Sequence, residues 1–276
     1  MKKIDILSIG NITQDIIKVD KKKYYSLGGT SFYAYKVSEK LGFDLEIISE
    51  ISNKIDYGKY IDIKKLISQK TVNHTIFENN YIGGIRTQNV INKPGKILVS
   101  NLSNYLASVY PKIVFYCPIL NEIEPKFFDL FNNSLKVCNL QGFVRKASKE
   151  KIKLINKLPD INFKIFDSVL LSEMDSSFEN ALKIANSSKI VCYTMGNKGV
   201  KVISDGNIKH IDTIKINYID ETGAGDVWGA SFIIFYYLMK KDLYESAYLA
   251  NISASLSVEG YSNNRISTYN EILSYK

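Results

Sequence analysis

Residues 219–239 read IDETGAGDVWGASFIIFYYLM, a polar stretch broken by glycines that passes, after Asp226, into a long uncharged run. Gly223-Ala224-Gly225 sets small residues just ahead of a helical pattern. Backbone N–H groups at such a helix start point outward, and the macrodipole there favours an anion. Asp226 falls in the first helical turn, beside any anion so held. A carboxylate in that place can accept a proton from an attacking hydroxyl while the amides hold developing phosphoryl charge. Taken alone, these residues read equally as a glycine-rich turn with an aspartate that stabilises the helix start.

Outward from this helix, strand-like runs alternate with helical patterns. Ile4–Ile9 reads as a strand ending at Gly10, and Thr30–Leu41 as a helix stopped by Gly42. Leu45–Ser49 is a second strand and Lys59–Ser68 a short helix. Lys112–Cys117, Leu135–Leu140, Lys164–Leu171 and Lys189–Thr194 are further strands, separated by helical patterns near 124–132, 147–157 and 177–187. A hairpin around Asp205-Gly206 precedes helices at about 223–240, 243–259 and 268–275. Such alternation predicts right-handed βαβ units on a mainly parallel sheet. Two segments break the rhythm. Ile16–Tyr25 reads as a strand pair, and Thr71–Asn92 as another excursion with Gly83-Gly84 at its turn. The expectation is one α/β domain over 1–276 with a small discontinuous β lid, from about 11–27 and 71–92, over the C-terminal strand ends where open α/β sheets bind ligands.

With 276 residues, 45% of them apolar, the chain can bury a core without a disulfide or metal staple. Its three cysteines (Cys117, Cys138, Cys192) have no zinc-site spacing and read as buried thiols of a reducing compartment. The net charge is +8, yet only Arg86, Arg145 and Arg265 are arginine among thirty-six cationic residues. Scattered lysines read as solvated faces, so no nucleic-acid partner is expected. The longest apolar run, Val227–Met239, is interrupted by Gly229 and Ser231 and is too short to cross a bilayer. The first residues read as a strand rather than a signal peptide. No membrane partner and a cytoplasmic location are therefore expected. No Walker P-loop is present, and no G-x-G-x-x-G follows the first strand.

Asp220, Thr222, Gly223, Ala224, Gly225 and Asp226 resemble the D-x-T-G-A-G-D signature of the PfkB/ribokinase family of carbohydrate and nucleoside kinases, with Trp228 where a Phe is usual. The resemblance implies a ribokinase-like three-layer α/β/α sandwich. It also implies transfer of the γ-phosphate of ATP to an alcohol of a sugar, polyol or nucleoside. Asp226 would be the base, the 223–225 amides the anion hole, and Thr222 a nucleotide neighbour. By the same resemblance Asn11 and Asp15 hold substrate hydroxyls, and Gly28-Gly29 forms the lid hinge against the substrate. Gln141 and Arg145 would meet substrate or phosphate. Thr194-Met195-Gly196-Asn197-Lys198-Gly199 resembles the family's T-x-G-x-x-G turn beside the nucleotide, and Asn251 matches an asparagine flanking the adenine.

One departure stands out. Ser172-Glu173-Met174-Asp175 replaces the family's N-x-x-E, leaving Asp175 as the carboxylate that would place Mg²⁺ through water. ATP and Mg²⁺ are the implied cofactors, with a monovalent-cation requirement left open. A homodimer through the lid is a further expectation, since it would cover an exposed strand edge. A non-catalytic ligand-binding relative of the same fold is the rival reading.

Overall fold

The computed structural model describes the chain apart from residues 20–21, 83–84, 156, 218 and 261–264. In chain order the elements are β1 (Lys2–Ile9), β2 (Thr13–Val19), β3 (Lys22–Gly28), α1 (Thr30–Leu41), β4 (Leu45–Ile51), β5 (Leu66–Lys70), β6 (Thr75–Ile82) and β7 (Ile85–Asn92). Then come α2 (Ser103–Ser108), β8 (Val109–Tyr116), β9 (Leu135–Asn139), β10 (Arg145–Ser148), β11 (Lys151–Leu154), β12 (Ser168–Ser172), α3 (Phe178–Ala185) and β13 (Ile190–Thr194). The chain ends with β14 (Val200–Ser204), β15 (Asn207–Ile211), α4 (Ala224–Ile233), α5 (Leu243–Ser257) and α6 (Tyr269–Leu273). A π-turn over Ile234–Leu238 prolongs α4.

Nine strands form the main sheet in the order β15-β14-β13-β12-β9-β8-β1-β4-β5. All pairs from β13 to β5 are parallel, and β14 and β15 add an antiparallel hairpin at one edge. The strands alternate between two apolar layers, as a period of two requires. Ile113, Phe115, Val137, Leu170 and Cys192 face a core shared with α1, α4, α5 and α6. Val114, Tyr116, Cys138, Val169 and Val191 face a second core shared with α2 and α3. The result is the expected α/β/α sandwich. All three cysteines are buried and unbridged. Among the described residues no helix is long and apolar enough to cross a membrane.

A six-stranded second sheet runs β10-β11-β7-β6-β2-β3. It joins the two excursions through the parallel β2–β6 pair, in which Asp15 is registered with Phe77. The turn expected at Gly83-Gly84 lies outside the described residues. Three helical expectations are corrected. Over 147–157 the chain forms the β10–β11 hairpin, with Lys149 turning at φ 55° and the Val90 N–H donating to Glu150 O at 2.7 Å. The KIKL alternation at 151–154 suits a strand, and pairing with β7 completes it. Over 59–68 only 3₁₀ turns form before β5, and the span near 124–132 holds a 3₁₀ turn rather than an α-helix.

Candidate active site

Polar residues gather beyond the C-terminal ends of the parallel strands: Asn11 after β1, Asn139 and Gln141 at the end of β9, Ser172 and Asp175 at β12, and Thr194 at β13. The start of α4 faces the same end. Gly223 caps that helix at φ 83°, a left-handed conformation that suits glycine, and a Cβ there would collide with the Tyr33 ring. Ala224 and Gly225 follow, and a Cβ on Gly225 would meet nothing within 4 Å. Among the described residues the Gly225 N–H donates to no protein acceptor. An N–H without an acceptor at a helix start is the feature that anion binding there would use.

Asp226 sits in the first turn of α4, half-buried. Its Oδ1 accepts from Thr30 Oγ1 at 2.6 Å. Thr30 Oγ1 accepts in turn from Asn139 Nδ2 at 3.3 Å, and Asn139 Oδ1 accepts from the Gln141 N–H at 3.1 Å. Thr30 opens α1 directly after Gly28-Gly29. Those glycines let the chain pass close to Asp15, whose carboxylate occupies the space a Gly28 side chain would need. Asp15 is buried and accepts from Thr13 Oγ1 at 2.8 Å.

A second group centres on Arg145. Its Nη2 donates to Asp175 Oδ1 at 3.1 Å, and both terminal nitrogens reach the Gln141 side-chain oxygen, at 3.1 and 2.8 Å. Asp175 Oδ2 accepts from the Ser172 N–H at 3.1 Å and Oγ at 2.7 Å. Both carboxylate oxygens are engaged and the charge is matched by a guanidinium. Asp175, the carboxylate that by the resemblance would place Mg²⁺ through water, is thus paired with Arg145, and among the described residues no group of three or more acidic, His or Cys side chains lies together.

Two further residues named by the resemblance make hydrogen bonds inside the fold. Asn11 Oδ1 accepts from the Glu50 N–H at 2.8 Å, and its Nδ2 donates to Glu50 Oε2 at 3.2 Å. These bonds tie the loop after β1 to β4. Asn251 Oδ1 accepts from Trp228 Nε1 at 2.7 Å, while Nδ2 donates to Ile211 O and Asp212 O at 3.1 and 2.9 Å. With both its N–H groups committed inside the fold, it locks α5 to α4 and β15. The same bond accounts for a tryptophan at 228, since phenylalanine has no N–H to offer.

The Thr194–Gly199 turn closes on itself, with Met195 N–H donating to Gly199 O at 2.8 Å. It adjoins β12 through Glu173 N–H to Thr194 O at 2.9 Å. Gly196 leaves open space beside it.

Sequence reading missed several residues here. Tyr81, on β6 of the second sheet, donates its O–H to Asp220 Oδ1 at 2.9 Å and lies 2.9 Å from Thr222 Oγ1. Having one proton, the phenol must accept from Thr222, and the Thr222 N–H also donates to Asp220 Oδ1 at 2.9 Å. Buried Glu122 accepts from the N–H groups of Asn11, Ile119 and Leu120, pinning the loops after β1 and β8. Burial pushes its carboxyl up from the ordinary value, with those N–H donors acting against the shift. Thr30 had one usable signal, its place directly after a glycine pair; Tyr81 and Glu122 had none.

A model of the pfkB family of carbohydrate kinases matches residues 98–268, more than half of the chain. A Pyrococcus horikoshii protein with a provisional sugar-kinase name is 23% identical over 98% of this chain and 95% of its own. Among solved structures, a pyrophosphate-dependent kinase in the ribokinase family, complexed with a pyrophosphate analog and myo-inositol, is similar with a TM-score of 0.79 at 20% identity, over 98% of this chain and 100% of that one. Ribokinase from Thermotoga maritima gives 0.74 at 18% identity, over 99% of both chains. Arabidopsis thaliana ribokinase complexed with ribose and ATP gives 0.75 at 15%, over 99% of this chain and 98% of that one. At such identities these structures speak for the ribokinase-like fold, and the family match speaks for the chemistry: the chain is a phosphotransferase and belongs to the pfkB family of carbohydrate kinases.

Proposed function

We propose that this kinase transfers the terminal phosphoryl group of ATP to an alcohol of a sugar or polyol. The observation that carries the reading is Asp226, held by Thr30 in the first turn of α4 beside the Gly225 amide. In this reading Asp15 orients acceptor hydroxyls, and the reacting hydroxyl gives its proton to Asp226. The new O–P bond forms as the bond from the γ-phosphorus to the β–γ bridging oxygen breaks, with ADP leaving. The 223–225 amides stabilise charge on the transferring group, acting where it develops. Arg145 supplies a guanidinium at the same end while remaining paired with Asp175. Mg²⁺ bound to the donor phosphates would neutralise their charge while needing few protein ligands.

Tyr81 links the second sheet to Asp220 and Thr222, which supports a lid that meets the phosphate end of the site. A homodimer through β3, an edge strand with Tyr24 and Tyr25 exposed, remains part of the proposal, and sedimentation tests it.

A second reading takes pyrophosphate as donor. Asn251 favours it, because the side chain expected beside adenine is committed elsewhere, and one similar solved structure is a pyrophosphate-dependent kinase. The test is initial rates with Mg²⁺ and either ATP or pyrophosphate, across inositols, pentoses, hexoses and nucleosides. ADP release with a sugar or polyol is expected. Turnover with nucleosides alone, or phosphate release from pyrophosphate alone, would replace the proposal.

A further inference from the structure

We infer that Thr30 is a positioning residue for the Asp226 carboxylate, and that Asn139 sets the direction in which Thr30 donates. The inference rests on the reading of Asp226 as base. The Gln141 N–H holds Asn139 Oδ1 at 3.1 Å, which turns the Asn139 amide nitrogen toward Thr30 Oγ1 at 3.3 Å. That N–H occupies an acceptor site of the hydroxyl. The single proton of Thr30 is then directed to Asp226 Oδ1, 2.6 Å away. Hydrogen bonds therefore run in one sense from the end of β9, through the first residue of α1, to the first turn of α4.

The chain is built to stay in place. Thr30 is 2% exposed and Asn139 9% exposed, so neither can swing into solvent. Thr30 is β-branched and stiff about χ1. It follows Gly29, whose φ of 89° sets the entry of α1. Helices α1 and α4 pack in one core through Phe32, Tyr33, Val227 and Trp228, which fixes the distance between the two helix starts. With Oδ1 held by Thr30, the plane of the carboxylate is set, and with it the direction in which Oδ2 meets the acceptor hydroxyl. Reaction geometry is steeply sensitive to such placement: a misplacement of about 1 Å can cost about 10²-fold in rate.

The test removes the hydroxyl while keeping the volume. Thr30→Val, Thr30→Ser, Asp226→Asn and the double variant Thr30→Val/Asp226→Asn are compared by kcat, KM and Tm. The acceptor is myo-inositol, ribose or adenosine, whichever the panel shows to be turned over, with Mg-ATP or Mg-pyrophosphate according to the donor that panel supports. Thr30→Val is expected to lower kcat about 10- to 100-fold with both KM values within about threefold. Thr30→Ser should recover kcat to within about threefold of wild type. In the Asp226→Asn background, Thr30→Val should remove almost nothing further, because groups acting as one unit are non-additive. If Val lowers Tm sharply, Thr30→Ala carries the same kinetic expectation. Wild-type kcat in Thr30→Val, failure of Ser to rescue, or an undiminished loss in the Asp226→Asn background would overturn the inference while leaving the base intact. Wild-type kcat in Asp226→Asn would instead defeat the base reading beneath it.

Discussion

Replacing Asp226 by Asn separates a base from a helix-stabilising carboxylate, since the amide keeps the shape and loses the ability to take a proton. Thr30 can still donate to the amide oxygen, now as a neutral hydrogen bond in place of a charge-assisted one at 2.6 Å. A charge in the first turn of a helix contributes about 0.3–1 kcal/mol. With the weakened hydrogen bond, of order 1 kcal/mol, the folded state should lose about 1–2 kcal/mol. In a chain of this size that lowers Tm by a few degrees. The kinetic loss should be far larger. A positioned proton acceptor contributes about 10²–10⁴-fold in rate, or about 3–5 kcal/mol of barrier. The assay is initial-rate kinetics with donor and acceptor varied, beside calorimetric donor binding and a thermal melt. Expected are kcat down about 10²–10⁴-fold, donor affinity within a few-fold and a small Tm change. A kcat within about fivefold of wild type, accompanied by the Tm loss alone, would refute the base and leave Asp226 a helix-start residue.

Tyr81→Phe removes the phenol between the second sheet and the Asp220–Thr222 pair; a hydrogen bond to a charged group is worth about 1.5–3 kcal/mol, so kcat/KM should fall about tenfold or more, and unchanged kinetics would show that this contact does not act in turnover. Asn251→Ala leaves a buried indole N–H and two carbonyls without partners. A loss of about 1–3 kcal/mol in denaturant unfolding is expected with donor KM within about twofold, whereas a large KM effect at unchanged stability would restore it to the nucleotide site. His74 Nε2 donates to Gln14 Oε1, 2.9 Å away, and burial together with Lys54 holds its pKa below the ordinary 6.5. The folded state thus resists its protonation, so its contribution is present above pH 6.5 and lost as pH falls through the lowered value. A His74→Gln variant should show a shallower fall in Tm between pH 7 and 5, and parallel profiles would exclude His74 as the source.

The sheet could be read from the sequence where strands are buried on both faces. Val114–Tyr116, Val169–Leu171 and Val191–Tyr193 are apolar runs whose own composition announces them, and the small-residue start of α4 is set by local chemistry. The β10–β11 hairpin could not be read in that way. Its residues are half lysine and serine, and its register depends on Val90 and Asn89, some sixty residues away, through pairings that no local window contains. The same divide runs through the site. Gly223, Gly225 and Asp226 follow from a motif whose backbone demands are local. Thr30, Asn139 and Tyr81 matter because three distant segments meet at one carboxylate and one turn.

Hydrogen-bond satisfaction is what sorts the residues that the resemblance treated alike. A polar side chain already saturated inside the fold can bind a ligand only by breaking bonds that would leave buried partners unpaired, at about 1–3 kcal/mol each. Asn251 is held in that way, its oxygen and both N–H groups bonded. The Gly225 N–H is in the opposite condition, with no protein acceptor among the described residues. Arg145 stands between these cases. Its guanidinium is pinned by Asp175 and Gln141, which fixes its plane. Its charge is delocalised over that plane and permanent. The carboxylate that departs from the family's N-x-x-E pattern is thus the ion-pair partner that fixes the plane of Arg145.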